Sequence, residues 1–436
     1  MTHDGVGIVA LCLLLLLVLM RAPVGIVLCL LGLAGNAYFL GFQPTLTQLQ
    51  LVIWELTHNF VLVALPLFVL MGQLAHQFEL GKDLYQCFNK WFGAIPGGLA
   101  ATSIVSSASF GAVSGSSLAT VAAVGKSLLP ELNRYHYDKG FSAGSLASAG
   151  VLAILIPPSI PLVFFSAWTE TSLGDLFLAG VVPGLMLGGC FLIYVLVRSR
   201  IQPQLAPVTE PHHWREKVAS LRGLLPVGAL LVVVLGSIYL GLATPTEAAA
   251  VGVAGVILIA LAKRRLSLAR LQQSIEQSIL LTSNILLLLL GGILFSRFLA
   301  QTNLTPQLVQ TIVSLEQPVE LLLILLALMY LLLGAVLDTF SMIILTLPFV
   351  FPLLSDLGVD PVWLGIFIVM MIEIALITPP IGLNVFIMQR LDPSIPINKI
   401  YQGTFPFVII AMLMVIVLIS FPGIALWLPQ WVNSLI

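Results

Sequence analysis

Apolar residues in this chain run in long blocks that polar positions interrupt only at intervals. Residues 6–20, 224–242, 321–337 and 405–424 are hydrophobic runs near the roughly 20 residues that a helix needs to cross a bilayer. The blocks and the polar joints between them fall into two similar series. The first predicts spans near 5–20, 23–40 and 50–76, a hairpin near 88–129, and spans near 140–168 and 175–197. The second predicts spans near 223–242, 246–262 and 274–300, a hairpin near 306–353, and spans near 361–389 and 403–428. The one long polar stretch, 201–222, reads as a cytoplasmic linker with room for a surface helix.

Composition says what solvent these blocks meet. Of 436 residues, 59% are hydrophobic and 8% charged, against about 25% charged in a soluble domain. So few charges cannot cover a water-facing surface, and lipid must surround most of the length. The apolar stretch after Met1 leads into Arg21-Ala22-Pro23 rather than a small-residue cleavage site, so a mature span is expected there. A net charge of −1 leaves no basic surface for nucleic acid. Cys12, Cys29, Cys87 and Cys190 stand singly, as small buried hydrophobes do. Trp54, Trp91, Trp168, Trp363, Trp427 and Trp431 lie near predicted interfaces, where amphipathic rings anchor.

The two series are related by a constant offset. Arg21-Ala22-Pro23 falls on Ala243-Thr244-Pro245, Pro157-Pro158 on Pro379-Pro380 and Val163-Phe164 on Val385-Phe386, each 222 residues on. Gly111-Ala112-Val113 falls on Gly334-Ala335-Val336 at an offset of 223. We therefore expect a first repeat at 1–200, the linker at 201–222 and a second repeat at 223–436. If each hairpin is re-entrant, five crossings remain per half, and an odd number inverts the second repeat. With residue 1 outside, every one of the 18 Lys and Arg residues except Arg297 then falls on the cytoplasmic side, as the positive-inside bias requires.

Four segments carry candidate chemistry. The run from Ser106 to Ser117, continuing to Thr120, packs serines and glycines into the middle of the first hairpin. Its hydroxyls and freed carbonyls are oxygen ligands, and a hairpin tip presents a helix N-terminus to anions; close helix packing is the alternative. Ile156-Pro157-Pro158-Ser159-Ile160-Pro161 breaks a span, because proline removes an N–H and clashes with the turn before it. The unwound carbonyls either coordinate a cation or mark a plain kink. The repeat partners are Gly334–Ser341, with Asp338 at the tip, and Ile377-Thr378-Pro379-Pro380-Ile381-Gly382-Leu383-Asn384. An ionisable group at that depth is costly and points to function. Sodium, a hard cation, suits two such oxygen-rich sites. One is expected at Ser114, Gly115, Ile156, Pro157 and Ser159, the other at Gly334, Asp338, Thr378 and Gly382. Ser116, Ser117, Thr120 and Asn384 are expected to meet the solute. Glu373 belongs to a site or else pairs with an arginine or a helix end. Glu247 follows Thr244-Pro245-Thr246 and reads as a helix cap. The histidines form no metal pattern. Glu55 and Asn59, four residues apart, would share one face of the span at 50–76 and touch either a second chain or the headgroups.

Gly111-Ala112-Val113-Ser114-Gly115-Ser116-Ser117, Ile156-Pro157-Pro158-Ser159 and Ile377-Thr378-Pro379-Pro380-Ile381-Gly382-Leu383-Asn384 resemble the large membrane (M) subunit of tripartite ATP-independent periplasmic (TRAP) transporters. The resemblance covers essentially the whole chain. It implies an all-α integral membrane protein of two inverted-topology repeats, each with five spans, a re-entrant hairpin and a broken helix, working as an elevator. It also implies sodium-coupled import of a carboxylate solute across the bacterial inner membrane. The partners implied are a small four-helix membrane (Q) subunit and a periplasmic substrate-binding (P) protein. The chain shows no further four-span block, so a separate small subunit is expected.

Other classes stay in view. A stand-alone sodium–carboxylate symporter would share the architecture without partners. A channel also uses broken helices, but paired hairpins suit alternating access better. An intramembrane hydrolase lacks a nucleophile–base pair, since His136 lies near a span end rather than beside Ser114. No P-loop is present for ATP hydrolysis.

Overall fold

The structure, a computed structural model, describes residues 3–314 and 316–434. Those residues form helices and turns, with no strand among them. In the first half α1 is His3–Leu19, α2 Val24–Leu40, α3 Phe42–His58, α4 Phe60–Gln77 and α5 Leu80–Phe92. A helical hairpin follows, α6 Gly98–Ser114 and α7 Ser117–Arg134. Next comes a broken helix in three pieces, α8 Lys139–Ala149, α9 Leu152–Leu155 and α10 Ile160–Thr169, and then α11 Leu173–Ile201. The second half runs α12 Trp214–Tyr239, α13 Pro245–Ala262, α14 Leu268–Gln301 and α15 Leu304–Ser314. Its hairpin is α16 Val319–Leu333 with α17 Thr339–Asp356, its broken helix α18 Pro361–Ala375 with α19 Leu383–Leu391. The chain ends in α20 Ile397–Ser420 and α21 Gly423–Asn433. Eight of the described helices, counting the broken α8–α10 as one, are long and apolar enough to cross a membrane.

Three expectations need correction. The span at 50–76 is two helices, because the Asn59 side chain accepts hydrogen bonds from the amides of Val61 (2.9 Å) and Leu62 (3.3 Å) and starts α4 anew. Asn59 therefore does not share a helix face with Glu55. Glu55 instead holds Arg297 of α14, with Nη2 2.6 and 2.9 Å from its two oxygens. Glu55 thus has a partner within the chain, while its side chain stays half exposed. The span at 403–428 is also two helices. Pro422 disfavours a helical Phe421, which sits at φ −134°, ψ 72° and ends α20. Finally, α12 begins at Trp214, so the later part of the polar linker forms the first turns of a spanning helix rather than a separate one.

Packing sorts the helices into two groups. In the first, α2 and α14 touch backbone to backbone. A Cβ on Gly32 would stand 2.7 Å from the Phe295 amide nitrogen, and one on Gly291 2.7 Å from the Gly25 carbonyl oxygen. Asn36 donates to the Leu294 carbonyl (3.0 Å) across this seam. α4 packs on both α13 and α14. In the second group, α8 packs on α20 through Gly140, Gly144 and Gly403, where Cβ atoms would collide with backbone; small residues let membrane helices approach this closely. Here the two halves interlock, and Asn133 at the end of α7 donates to Asp392 after α19 (3.0 Å).

A charge cluster joins α5 to the turn between α13 and α14. Asp83, nearly buried, accepts from Lys263 Nζ (2.5 Å) and, through both oxygens, from Arg265 (2.8 and 2.9 Å). Replacing it strands two cations. Asp83→Asn should destabilise the fold by about 2–3 kcal/mol, because the cations keep partial access to water. Unfolding of the purified protein in detergent measures this, and Lys263→Met alone should cost less because the bidentate arginine remains.

Candidate functional site

The tip of the first hairpin and the break in the first broken helix are in direct contact. α6 ends on Gly115 at φ +60°, a left-handed conformation that glycine adopts without strain. Ser116 caps α7, accepting from the Ala119 amide (3.4 Å). Ser159 caps α10, accepting from the Leu162 amide (3.4 Å). The Ile160 amide crosses to donate to the Gly115 carbonyl (3.2 Å), and a Cβ on Gly115 would stand 2.9 Å from the Pro158 carbonyl oxygen. Gly115 is thus set against the Pro158–Ile160 stretch of the break, while Ile156, Pro157 and Ser159 do not line the cavity at the tip described below. Prolines at 157, 158 and 161 supply no N–H, so the carbonyls of Ala153, Ile154 and Pro157 lose the donors a continuous helix would give them.

The second half repeats this arrangement with a different tip. Gly334 packs on Ala375 of α18 as Gly111 packs on Ala153, and in both pairs a Cβ on the glycine would overlap the alanine. Asp338 caps α17, accepting from the Phe340 amide (3.2 Å) and from the Ser341 hydroxyl. Thr378 donates back to the Ile374 carbonyl (2.6 Å). Gly382, at φ +53°, turns the chain so that the Asn384 amide bonds the Leu376 carbonyl (3.1 Å). Asp338, Ser341 and Ile381 line one cavity of about 470 Å³. Gly334, Thr378 and Gly382 do not line that cavity.

Between the tips and the first helix group lies a cavity of about 260 Å³. Ser114, Gly115, Ser116 and Ser117 line it with Thr339 and Phe340 of the second tip, Val69, Gly72 and Gln73 of α4, and Leu281 and Ile285 of α14. The starts of α7 and α17 therefore meet one space. Of the expected solute contacts, Ser116 and Ser117 line it. Thr120 does not; it is buried and bonded to the Ser114 hydroxyl (2.8 Å). Asn384 lies elsewhere too, donating to the Ala147 carbonyl on α8 (3.3 Å). One turn along α4 and α7, a separate cavity of about 550 Å³ is lined by His76, Lys82, Lys126 and Arg270 together with Glu79 and Glu131.

Other residues resolve simply. Glu247 and Thr244 form the expected capping box. No group of three or more His, Cys, Asp or Glu among the described residues is placed to hold a metal ion. Sequence reasoning missed Gly72, Gln73, Leu281 and Ile285. Gly72-Gln73 in an apolar span is a weak signal. Leu281 and Ile285 look like any lipid-facing residues.

Comparison with known families decides what this constellation belongs to. Residues 11–424 match the family described as "Tripartite ATP-independent periplasmic transporter, DctM component". The chain belongs to that family. It is 34% identical over 405 residues to the C4-dicarboxylate TRAP transporter large permease protein of Pseudomonas aeruginosa, covering 92% of this chain and 94% of that one. The ectoine large permease of Halomonas elongata is 31% identical (84% and 86% covered), and the sialic acid large permease of Vibrio cholerae 29% identical (85% and 87% covered). Among solved structures, the YdaH transporter of Alcanivorax borkumensis aligns with a TM-score of 0.58 at 14% identity, over 88% of this chain and 89% of that one, and shows a shared fold. This permease is therefore the multi-pass membrane subunit of a solute transporter rather than an enzyme, working with a periplasmic binding protein and a small membrane subunit.

The paired glycine contacts make a direct prediction. Gly111→Ala and Gly334→Ala should each destabilise the permease by about 1–3 kcal/mol through overpacking. Gly111→Ala should cost more, since its Cβ meets the Cα as well as the Cβ of Ala153. Thermal unfolding in detergent reads both.

Proposed function

We propose that the permease imports a carboxylate solute by sodium symport, and that its halves are inverted repeats in which the hairpins and broken helices move as an elevator. The observation that carries this reading is the 260 Å³ cavity where the starts of α7 and α17 converge beside the first helix break at Ile160-Pro161. Helix N-termini favour carboxylates, and freed carbonyls and hydroxyls suit sodium. Ser114, Gly115, Ile156, Pro157 and Ser159 would hold one ion; Gly334, Asp338, Thr378 and Gly382 would hold a second. Ser116 and Ser117 would meet the solute. The C4-dicarboxylate relatives support the carboxylate class. The moving body would be the interlocked group of α6–α11 and α16–α20, with α2, α4, α13 and α14 as the scaffold. The cavity beside Lys126 and Arg270, next to the tip cavity, would be open on the cytoplasmic side, the basic side being cytoplasmic.

The test is uptake of radiolabelled succinate into proteoliposomes holding the permease and its small subunit, with the binding protein and an imposed sodium gradient. Uptake should need all three components and collapse without the gradient. Uptake that ignores sodium would remove the coupling assignment. Asp338→Asn keeps an N-capping group and removes the charge. It should raise the sodium concentration for half-maximal uptake roughly tenfold, a loss of about 1.4 kcal/mol in ion affinity. An unchanged sodium titration would leave Asp338 as a cap only.

A second variant addresses movement. A Cβ on Gly72 would stand 2.7 Å from the Ser114 carbonyl oxygen, so the first tip lies against α4 there. Gly72→Val should wedge this contact. Uptake should fall at least about tenfold, equivalent to about 1.4 kcal/mol on the barrier, while sodium still raises the thermal unfolding midpoint. Normal uptake in this variant would place the sliding surface elsewhere.

A further inference from the structure

Glu373 lines none of the cavities described above, though it holds Ser117 of the first tip. It sits on α18, wholly buried, and its Oε1 accepts a hydrogen bond from the Ser117 hydroxyl of the first hairpin (3.3 Å). Its other oxygen, Oε2, is buried with no partner. The contact joins residues 256 apart, one from each half. No Lys, Arg or His among the described residues forms an ion pair or hydrogen bond with it.

The ionisable groups on neighbouring helices do not supply a counter-charge. α9, α10 and α21 carry no charged residue. On α11, Asp175 is bonded to Asn433, while Tyr194, Arg198 and Arg200 stand in its last turns. On α16, Glu320 is in the first turn and Tyr330 is bonded to Thr346. On α17, Asp338 caps the start and Asp356 ends it. Lys399 and Tyr401 open α20, the tyrosine bonded to the Pro380 and Ile381 carbonyls. Lys126, Glu131 and Arg134 lie beyond Ser117 along α7.

A bare carboxylate here would be a charge in an apolar interior with one hydroxyl for company, which is strongly unfavourable. It must carry a proton or a bound cation. A sodium ion needs several oxygens around it and space to sit. Glu373 offers one neighbouring hydroxyl and lines neither tip cavity. We propose that Glu373 is a proton-binding site, neutral in this arrangement, that latches the first hairpin tip to the second broken helix. Its proton would leave to water only when Ser117 moves away and the carboxyl is wetted, so movement of the tip and exchange of one proton are linked. This goes beyond sodium coupling and holds whichever ion drives uptake.

Infrared difference spectroscopy on the purified permease with its small subunit tests this without any transport measurement. At neutral pH the wild type should show a protonated-carboxyl C=O band that shifts in deuterated water and vanishes in Glu373→Gln. Should that variant fail to fold, Ser117→Ala serves instead, and the band should move to higher frequency as its hydrogen bond is lost. A wild type with no such band, or a band unmoved in both variants, overturns the proposal. Sodium titration of the thermal midpoint provides the second arm. Glu373→Gln, which mimics the neutral acid, should keep the sodium-dependent rise in full. Loss of that rise would make Glu373 a sodium ligand and end the proton assignment.

Discussion

A single backbone hydrogen bond, from the Ile160 amide to the Gly115 carbonyl, shows the constraint under which this permease is built. Chain that unwinds among apolar helices has no water to satisfy it, so each freed amide must find a protein partner. The first half meets that demand by pairing its helix break with its hairpin tip. The second closes its break on itself, Asn384 to Leu376, and sets the carboxylate of Asp338 at its tip. Related segments thus reach satisfaction by different routes. Carbonyls deprived of donors by proline are left near the first tip without helical partners, and a polar site can exist inside an apolar body.

Close helix contact is what holds those breaks in place. Lipid tails are as apolar as leucine, so nothing squeezes these helices together except packing and hydrogen bonds. Gly111 on Ala153 and Gly334 on Ala375 press each hairpin onto its broken helix. Gly140, Gly144 and Gly403 do the same between α8 and α20. These contacts lie within one helix group and tie the halves of the chain together. Against α4 and α14 the contact is mixed: α4 packs on α6 and α10, and Gly292 of α14 sits tightly on Ile344 of α17, with the cavity between.

Much of the first site was legible because glycine, serine and proline act locally. Three prolines in five residues break a helix wherever they fall, and a serine before a new helix caps it. The second site was reached by offset, and of its expected members only Asp338 lines the cavity at the second tip. Thr120 and Asn384 were less legible, since a small polar residue in an apolar helix bonds either to its neighbours or to a solute, and only the direction of its side chain decides. Asn59 misled for a related reason. Four residues beyond Glu55 on a continuous helix, it would have completed a polar stripe, yet it caps a new helix, and Glu55 reaches Arg297 across 242 residues.

By itself, then, the sequence determined the solvent, the helical class, the two parallel series of elements and the positions where helices must break. Those follow from local chemistry: hydrophobic run length, charge scarcity, and the missing N–H of proline. Only the tertiary structure decided which breaks meet which tips, that α4 and α14 wall the cavity, and that Glu373 lies alone with Ser117. Such contacts join residues more than 200 positions apart, and no local pattern encodes them. They arise from how apolar helices pack around the unwound segments.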